Sequence, residues 1–206
     1  MTGLSVLLLG LGLGVRHAMD ADHVVVVSTL VSREPGRWRA ARVAALWGAG
    51  HTLAFLGLGL LVVLARLQVP PAFERLAEIL VAGLLIGFGA WHLVRSFDSS
   101  GPEDAAPAVV ARPIVIGVAH GLAGSSGVAL LAATTIASRP LAAGYLCLVA
   151  LGTVLGMVVL TVVMAGPIAW TMRREGVVKR AVVAVSGGVG VALGAWLLLR
   201  LLAGAH

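Results

Sequence analysis

Residues 16–24 read RHAMDADHV and put Arg16, His17, Asp20, Asp22 and His23 into eight consecutive positions of an apolar run that extends from residue 3 to residue 31. Imidazole and carboxylate donors with no thiolate nearby suit borderline divalent cations such as Ni²⁺, Co²⁺ or Zn²⁺, not Cu⁺ or alkali ions. A donor set larger than zinc's four ligands favours nickel and cobalt. Buried in a bilayer, each charge costs on the order of 2.5–3.5 kcal/mol, and an ion pathway is the default explanation. An Arg16–Asp20 pair one turn apart would neutralise two of these charges. It leaves Asp22 and both histidines unexplained.

Helical geometry constrains the set further. At 100° per residue, Arg16, His17, Asp20 and His23 share an arc of about 120°, whereas Asp22 points almost oppositely. Either the helix unwinds around residues 18–22, or Asp22 stands behind the ligands or reaches another helix. As one straight helix, residues 3–31 would span about 43 Å against a hydrocarbon core of about 30 Å, which leaves length for a break.

Two further histidines join the candidate site. His51 lies in LWGAGHT (46–52) beside Thr52, and His120 lies in GVAHGLAGSSG (117–127) with Ser125 and Ser126 close by. The predicted ion site is therefore His17, Asp20, Asp22, His23, His51 and His120, supported by Arg16, Thr52, Ser125 and Ser126. His92, near a segment end beside Arg95, reads as interfacial. Met19, Met157 and Met164 read as lipid- or core-facing, and Cys147 has no partner for a disulfide or a cysteine-based metal site.

The elements that position these residues follow from composition. Of 206 residues, 59% are hydrophobic and 12% charged, and the mean hydropathy is +1.02. So few charges cannot cover a water-exposed globule, whose charged fraction is about 25%, and they exclude disorder as well. The expected fold is all-α, a polytopic membrane protein with six transmembrane helices over 3–31, 39–64, 73–95, 113–137, 141–170 and 181–203. The net charge of +6 reflects arginines in short loops and not a nucleic-acid partner. Ten basic residues follow helices one, three and five, and four lie on the opposite side. The odd loops are therefore expected in the cytoplasm and both termini outside.

The chain also repeats itself. GVRH (14–17) returns as GVAH (117–120), 103 residues later, and GAWHLVR (89–95) returns as GAWLLLR (194–200), 105 residues later. The expected organisation is two inverted three-helix repeats, 1–97 and 113–206, joined by a cytoplasmic linker at 98–112. Inverted repeats are a transporter signature, with the site near the midplane where the repeats meet. This pairing makes His120 the counterpart of His17.

At these residues the sequence resembles the nickel/cobalt transporter family, whose hallmark is a histidine, four residues, then Asp-His within a membrane helix. Here it stands as RHAMDADHV (16–24), and the family's Gly-His-Ser/Thr motif is matched by GHT (50–52). The resemblance implies metal-site roles for His17, Asp22, His23 and His51. Larger members have eight helices and aspartate motifs in the second half. This chain has no aspartate in 113–137 and resembles the shorter branch of urease-accessory-type nickel permeases and some exporters. The expectation is a non-enzymatic secondary permease of a bacterial inner membrane, taking up Ni²⁺ or Co²⁺ as substrate and needing no cofactor. Export for metal resistance is the alternative, and a histidine-free 98–112 linker favours uptake. A membrane-embedded metalloenzyme or acyltransferase ranks below both, since no general base or phosphate-binding motif stands apart from the ligand set. The expected partners are the lipid bilayer and the divalent ion, and a homo-oligomer is left open.

Overall fold

A computed structural model describes residues 2–31, 37–67, 70–96, 108–123, 127–172 and 177–204. Among them every regular element is helical: α1 (Gly3–His17), α2 (Ala21–Val31), α3 (Arg37–Ala65), α4 (Pro71–Ser96), α5 (Ala108–Ala123), α6 (Gly127–Thr135), α7 (Arg139–Met172) and α8 (Val177–Leu202). Thr2 caps α1 by accepting a hydrogen bond from the Ser5 backbone N–H, which satisfies one of the orphan donors of the first turn. Pro71 opens α4, where the absent N–H has no intrahelical partner to lose.

Among the described residues, four helices contain stretches long and apolar enough to cross a bilayer, Trp38–Ala65, Arg75–Val94, Arg139–Pro167 and Ala184–Leu202. Gly3–His17 and Ala21–Ser28 make a fifth as one span bent by 50°. The protein is a helical membrane protein. The segment 113–137, expected as one continuous helix, comprises α5 and α6 on either side of residues 124–126, which lie outside the described residues. The apolar stretch Pro113–Leu122 reaches about 15 Å, half of a crossing. Leu53, Val163, Val185 and Leu199 are exposed, as the outer faces of helices solvated by hydrocarbon must be.

The helices pair α1 with α7, α3 with α5, α4 with α8 and α3 with α7. Glycines allow the first two approaches. A Cβ on Gly14 would strike the Val149 carbonyl and lie 2.9 Å from the Thr153 amide nitrogen. A Cβ on Gly117 would strike the Trp47 carbonyl and lie 2.9 Å from the His51 amide nitrogen. Small residues of this kind bring membrane helices to backbone contact, where dispersion replaces the missing hydrophobic force. Two buried hydroxyls bond within their own helix: Thr153 Oγ1 donates to the Val149 carbonyl and Thr161 Oγ1 to the Met157 carbonyl, at 2.8 and 2.7 Å. One apolar cluster joins α3, α6 and α7 around Phe55, Tyr145 and Leu146. A second joins α2, α3 and α7 around Val26, Val27, Trp47 and Met157, and Ala18 from the α1–α2 break packs into it.

Candidate metal centre

The site is built at the break between α1 and α2. After His17 the backbone tightens: the Met19 N–H donates to the Arg16 carbonyl at 2.9 Å and the Asp20 N–H to the His17 carbonyl at 3.1 Å. The regular pattern resumes when the Val24 N–H donates to the Asp20 carbonyl at 3.1 Å. Irregular backbone is tolerated at membrane depth only where protein or a polar cavity surrounds it, and here Ala18 is fully buried. Asp22 falls in the first turn of α2, where the helix dipole favours a negative charge.

The bend turns side chains of both helices into one cluster. His17 from α1, His23 from α2, His51 from α3 and His120 from α5 stack around a common point. Ring centroids are 4.5 Å apart for His17–His23, 5.0 Å for His23–His51, 5.0 Å for His23–His120, 5.5 Å for His17–His51 and 5.7 Å for His51–His120. His23, His51 and His120 are at most 1% exposed, and His17 is 9% exposed.

Carboxylates tie the rings. Asp20 Oδ2 lies 2.9 Å from His17 Nδ1. Asp22 bridges, with Oδ1 3.2 Å from His23 Nδ1 and Oδ2 3.1 Å from His120 Nε2 on α5. The Asp22 side chain is 10% exposed, whereas that of Asp20 is 40% exposed. Asp20 is thus the more exposed of the two carboxylates.

Two triads offer one donor atom per residue within 4.8 Å of one another: His17, His23 and His51, and Asp22, His23 and His120. Three nitrogens bound to one ion stand about 3–4 Å apart, so small side-chain movements would close either triad. His23 Nε2, His51 Nδ1 and His120 Nδ1 are buried with no hydrogen-bond partner among the described residues. Buried polar atoms left open cost free energy unless a ligand or water completes them. An arrangement of neutral imidazoles backed by carboxylates can accept a dehydrated divalent d-block ion.

All six predicted site residues meet here. The break and the reach of Asp22 to His120 combine two ways out of the straight-helix conflict. Arg16 is exposed on α1. Thr52 neighbours His51, and its buried hydroxyl has no hydrogen-bond partner among the described residues. Ser125 and Ser126 lie outside the described residues. His92 departs from its expected interfacial place and is buried in α4 at 4% exposure, because that face of α4 is covered by other helices. Met19 is exposed and Met157 is core.

Sequence reasoning missed Trp47. Its ring is fully buried and lies 5.3 Å from His23, 5.7 Å from His120 and 6.1 Å from His51. The signal was its spacing, one turn before His51 on α3. A cavity lined by Val62, Arg66, Ala133, Ile136 and Arg139 shares no residue with the histidine cluster.

No protein-family profile and no solved structure matches the chain. The urease accessory protein UreH of Bacillus sp. (strain TB-90) is 31% identical over 186 residues, covering 83% of this chain and 81% of that protein. At that identity and coverage, the chain belongs to the family of the urease accessory protein UreH.

Proposed function

We propose that the protein is a secondary permease that takes up Ni²⁺ or Co²⁺ across a bacterial cytoplasmic membrane. The observation that carries this reading is the cluster of four buried histidines and Asp22, drawn from α1, α2, α3 and α5, at a break in a membrane-spanning helix. Buried ionisable groups at such breaks are the construction of transporter ion sites. The relative's name attaches it to urease, and the resemblance to urease-accessory-type permeases likewise favours nickel. The ion is substrate, no covalent step is required, and the chain carries no nucleotide motif for direct ATP coupling.

The same reading includes two inverted three-helix repeats, α1–α4 and α5–α8, with α1–α2 and α5–α6 as corresponding first spans. Reciprocal packing supports it. Gly14 of α1 sits on Val149 and Thr153 of α7, while Gly117 of α5 sits on Trp47 and His51 of α3. Both glycines recur in the repeated GV-x-H sequence, and each approach exchanges the halves. Rocking of one half on the other would expose the cluster to either side in turn. The arginine distribution puts the 98–112 linker in the cytoplasm and both termini outside.

The test is whole-cell accumulation of radiolabelled nickel and cobalt, comparing wild type with His17→Ala at equal membrane expression. Accumulation above the empty-vector level that disappears in the variant is the expected result. Accumulation below that level, restored by the variant, would make the protein an exporter. No difference for either metal overturns the nickel/cobalt reading.

A further inference from the structure

By the arginine count, only four basic residues lie on the side opposite the 98–112 linker: Arg66, Arg75, Arg139 and Arg200. Two of them line one cavity. Arg66 follows the C-terminus of α3 and Arg139 opens α7. The apolar stretches of these two helices stop at Ala65 and begin at Arg139, so both arginines stand where hydrocarbon gives way to headgroups. Both are exposed. The cavity they share measures about 460 Å³, within the roughly 300–1,000 Å³ of small-molecule sites. Val62 and Val63 of α3, Ala133 of α6 and Ile136 give it apolar walls.

The elements that build the cavity do not neutralise these charges. Residues 35–73 and 105–174, which contain all of α3, α6 and α7, include no Asp or Glu. Neither arginine is in an ion pair among the described residues. The local backbone does not account for them either. Arg139 occupies the first turn of α7, where the helix dipole favours an anion and no acidic residue stands. Arg66 has a φ of 52°, in the left-handed region. It sits in the turn that ends α3, where the Leu67 N–H donates to the Val62 carbonyl at 3.0 Å, a place that glycine ordinarily takes. Glycine at 66 and an acid at 139 would suit the fold better. The two cations therefore answer to an anion that the chain itself does not supply.

We propose that this cavity binds an anionic phospholipid of the surrounding bilayer. Arg66 and Arg139 hold its phosphodiester at the N-terminus of α7, and Val62, Val63 and Ile136 receive its glycerol and first acyl carbons. Guanidinium groups match phosphate oxygens with paired, charge-assisted hydrogen bonds, and anionic headgroups are the ligands that a bilayer presents to basic pockets between membrane helices. A free phosphate would satisfy the arginines but leave the apolar walls unused. The lipid ties the end of α3 to α6 and α7, away from the histidine cluster, and its binding does not rest on the permease reading.

The experiment uses the full-length protein in detergent micelles and native mass spectrometry after addition of dioleoyl phosphatidylglycerol or dioleoyl phosphatidylcholine. Wild type is expected to retain the phosphatidylglycerol and not the phosphatidylcholine, and to melt at a higher temperature with the former. Arg66→Gly and Arg139→Gln are each expected to weaken that retention about tenfold. Arg200 lies outside the cavity, 4.9 Å over the Trp196 ring, and Arg200→Gln is expected to bind as wild type does. Arg66→Gly also separates a ligand role from a structural one. Without lipid it is expected to melt at or above the wild-type temperature, because glycine relieves the left-handed backbone. Lower lipid-free stability with unchanged retention would make Arg66 structural and overturn the assignment. Equal retention of both lipids by wild type, or undiminished phosphatidylglycerol in both cavity variants, overturns it too. So does a melting shift with inorganic phosphate as large as that with phosphatidylglycerol, which would make the ligand a small anion.

Discussion

His23 is the residue on which the site turns, because it belongs to both donor triads and touches His17, His51, His120 and Trp47 through its ring. His23→Ala is expected to abolish transport, a loss of more than about a hundredfold and thus beyond the tenfold to hundredfold cost of removing a supporting partner. Initial uptake rates at equal expression check this. Trp47 is expected to behave differently. Its indole walls three imidazoles but offers only a donor N–H, so Trp47→Phe should keep metal binding and Trp47→Ala should loosen it through the cavity left behind. Removing a large buried aromatic costs about 3–5 kcal/mol of stability. Thermal melting of the two variants with and without Co²⁺ separates packing from binding.

At the scale of the helix, backbone contact decides which glycines can change. Gly14→Ala would press a methyl group into the Val149 carbonyl of α7, and Gly117→Ala into the Trp47 carbonyl of α3. Neither obstacle is a flexible side chain, so each substitution is expected to lower stability by about 1–3 kcal/mol. Gly83→Ala is the control. A Cβ there meets nothing within 4 Å, and replacing glycine inside a helix gains about 0.5–1 kcal/mol. Melting temperatures in one detergent should rank Gly83→Ala at or above wild type and the other two clearly below. Because Gly117 seats α5, which carries His120, against Trp47 and His51 of α3, its substitution should also depress Co²⁺ affinity.

Over the whole molecule, topology is the quantity to measure. Cys147 is exposed and is first replaced by alanine. A single cysteine placed in the 98–112 linker is then expected to react with membrane-permeant thiol reagents only, and one at Gly204 with impermeant reagents as well. The opposite pattern would invert the orientation drawn from the arginines.

Much of the site was legible in the sequence because a bilayer penalises charge so heavily that five ionisable groups in eight positions must have a use. That argument identified His17, Asp20, Asp22 and His23, and repeat matching and the family motif added His51 and His120. The apolar excess likewise dictated helices, since hydrocarbon leaves the backbone no other partner for its polar groups. Sequence could not choose between an unwound helix and a displaced Asp22, because either removes the same steric conflict. The tertiary structure decided it: a 50° bend carries Asp22 to His120 on α5. Sequence also passed over Trp47 and read His92 as interfacial, for the face a helix presents to its neighbours depends on which helices arrive there. Small glycines permit close packing but do not choose its partners. Those were settled by long-range contact, α1 on α7 and α5 on α3, and only that contact brings donors from four helices to one point.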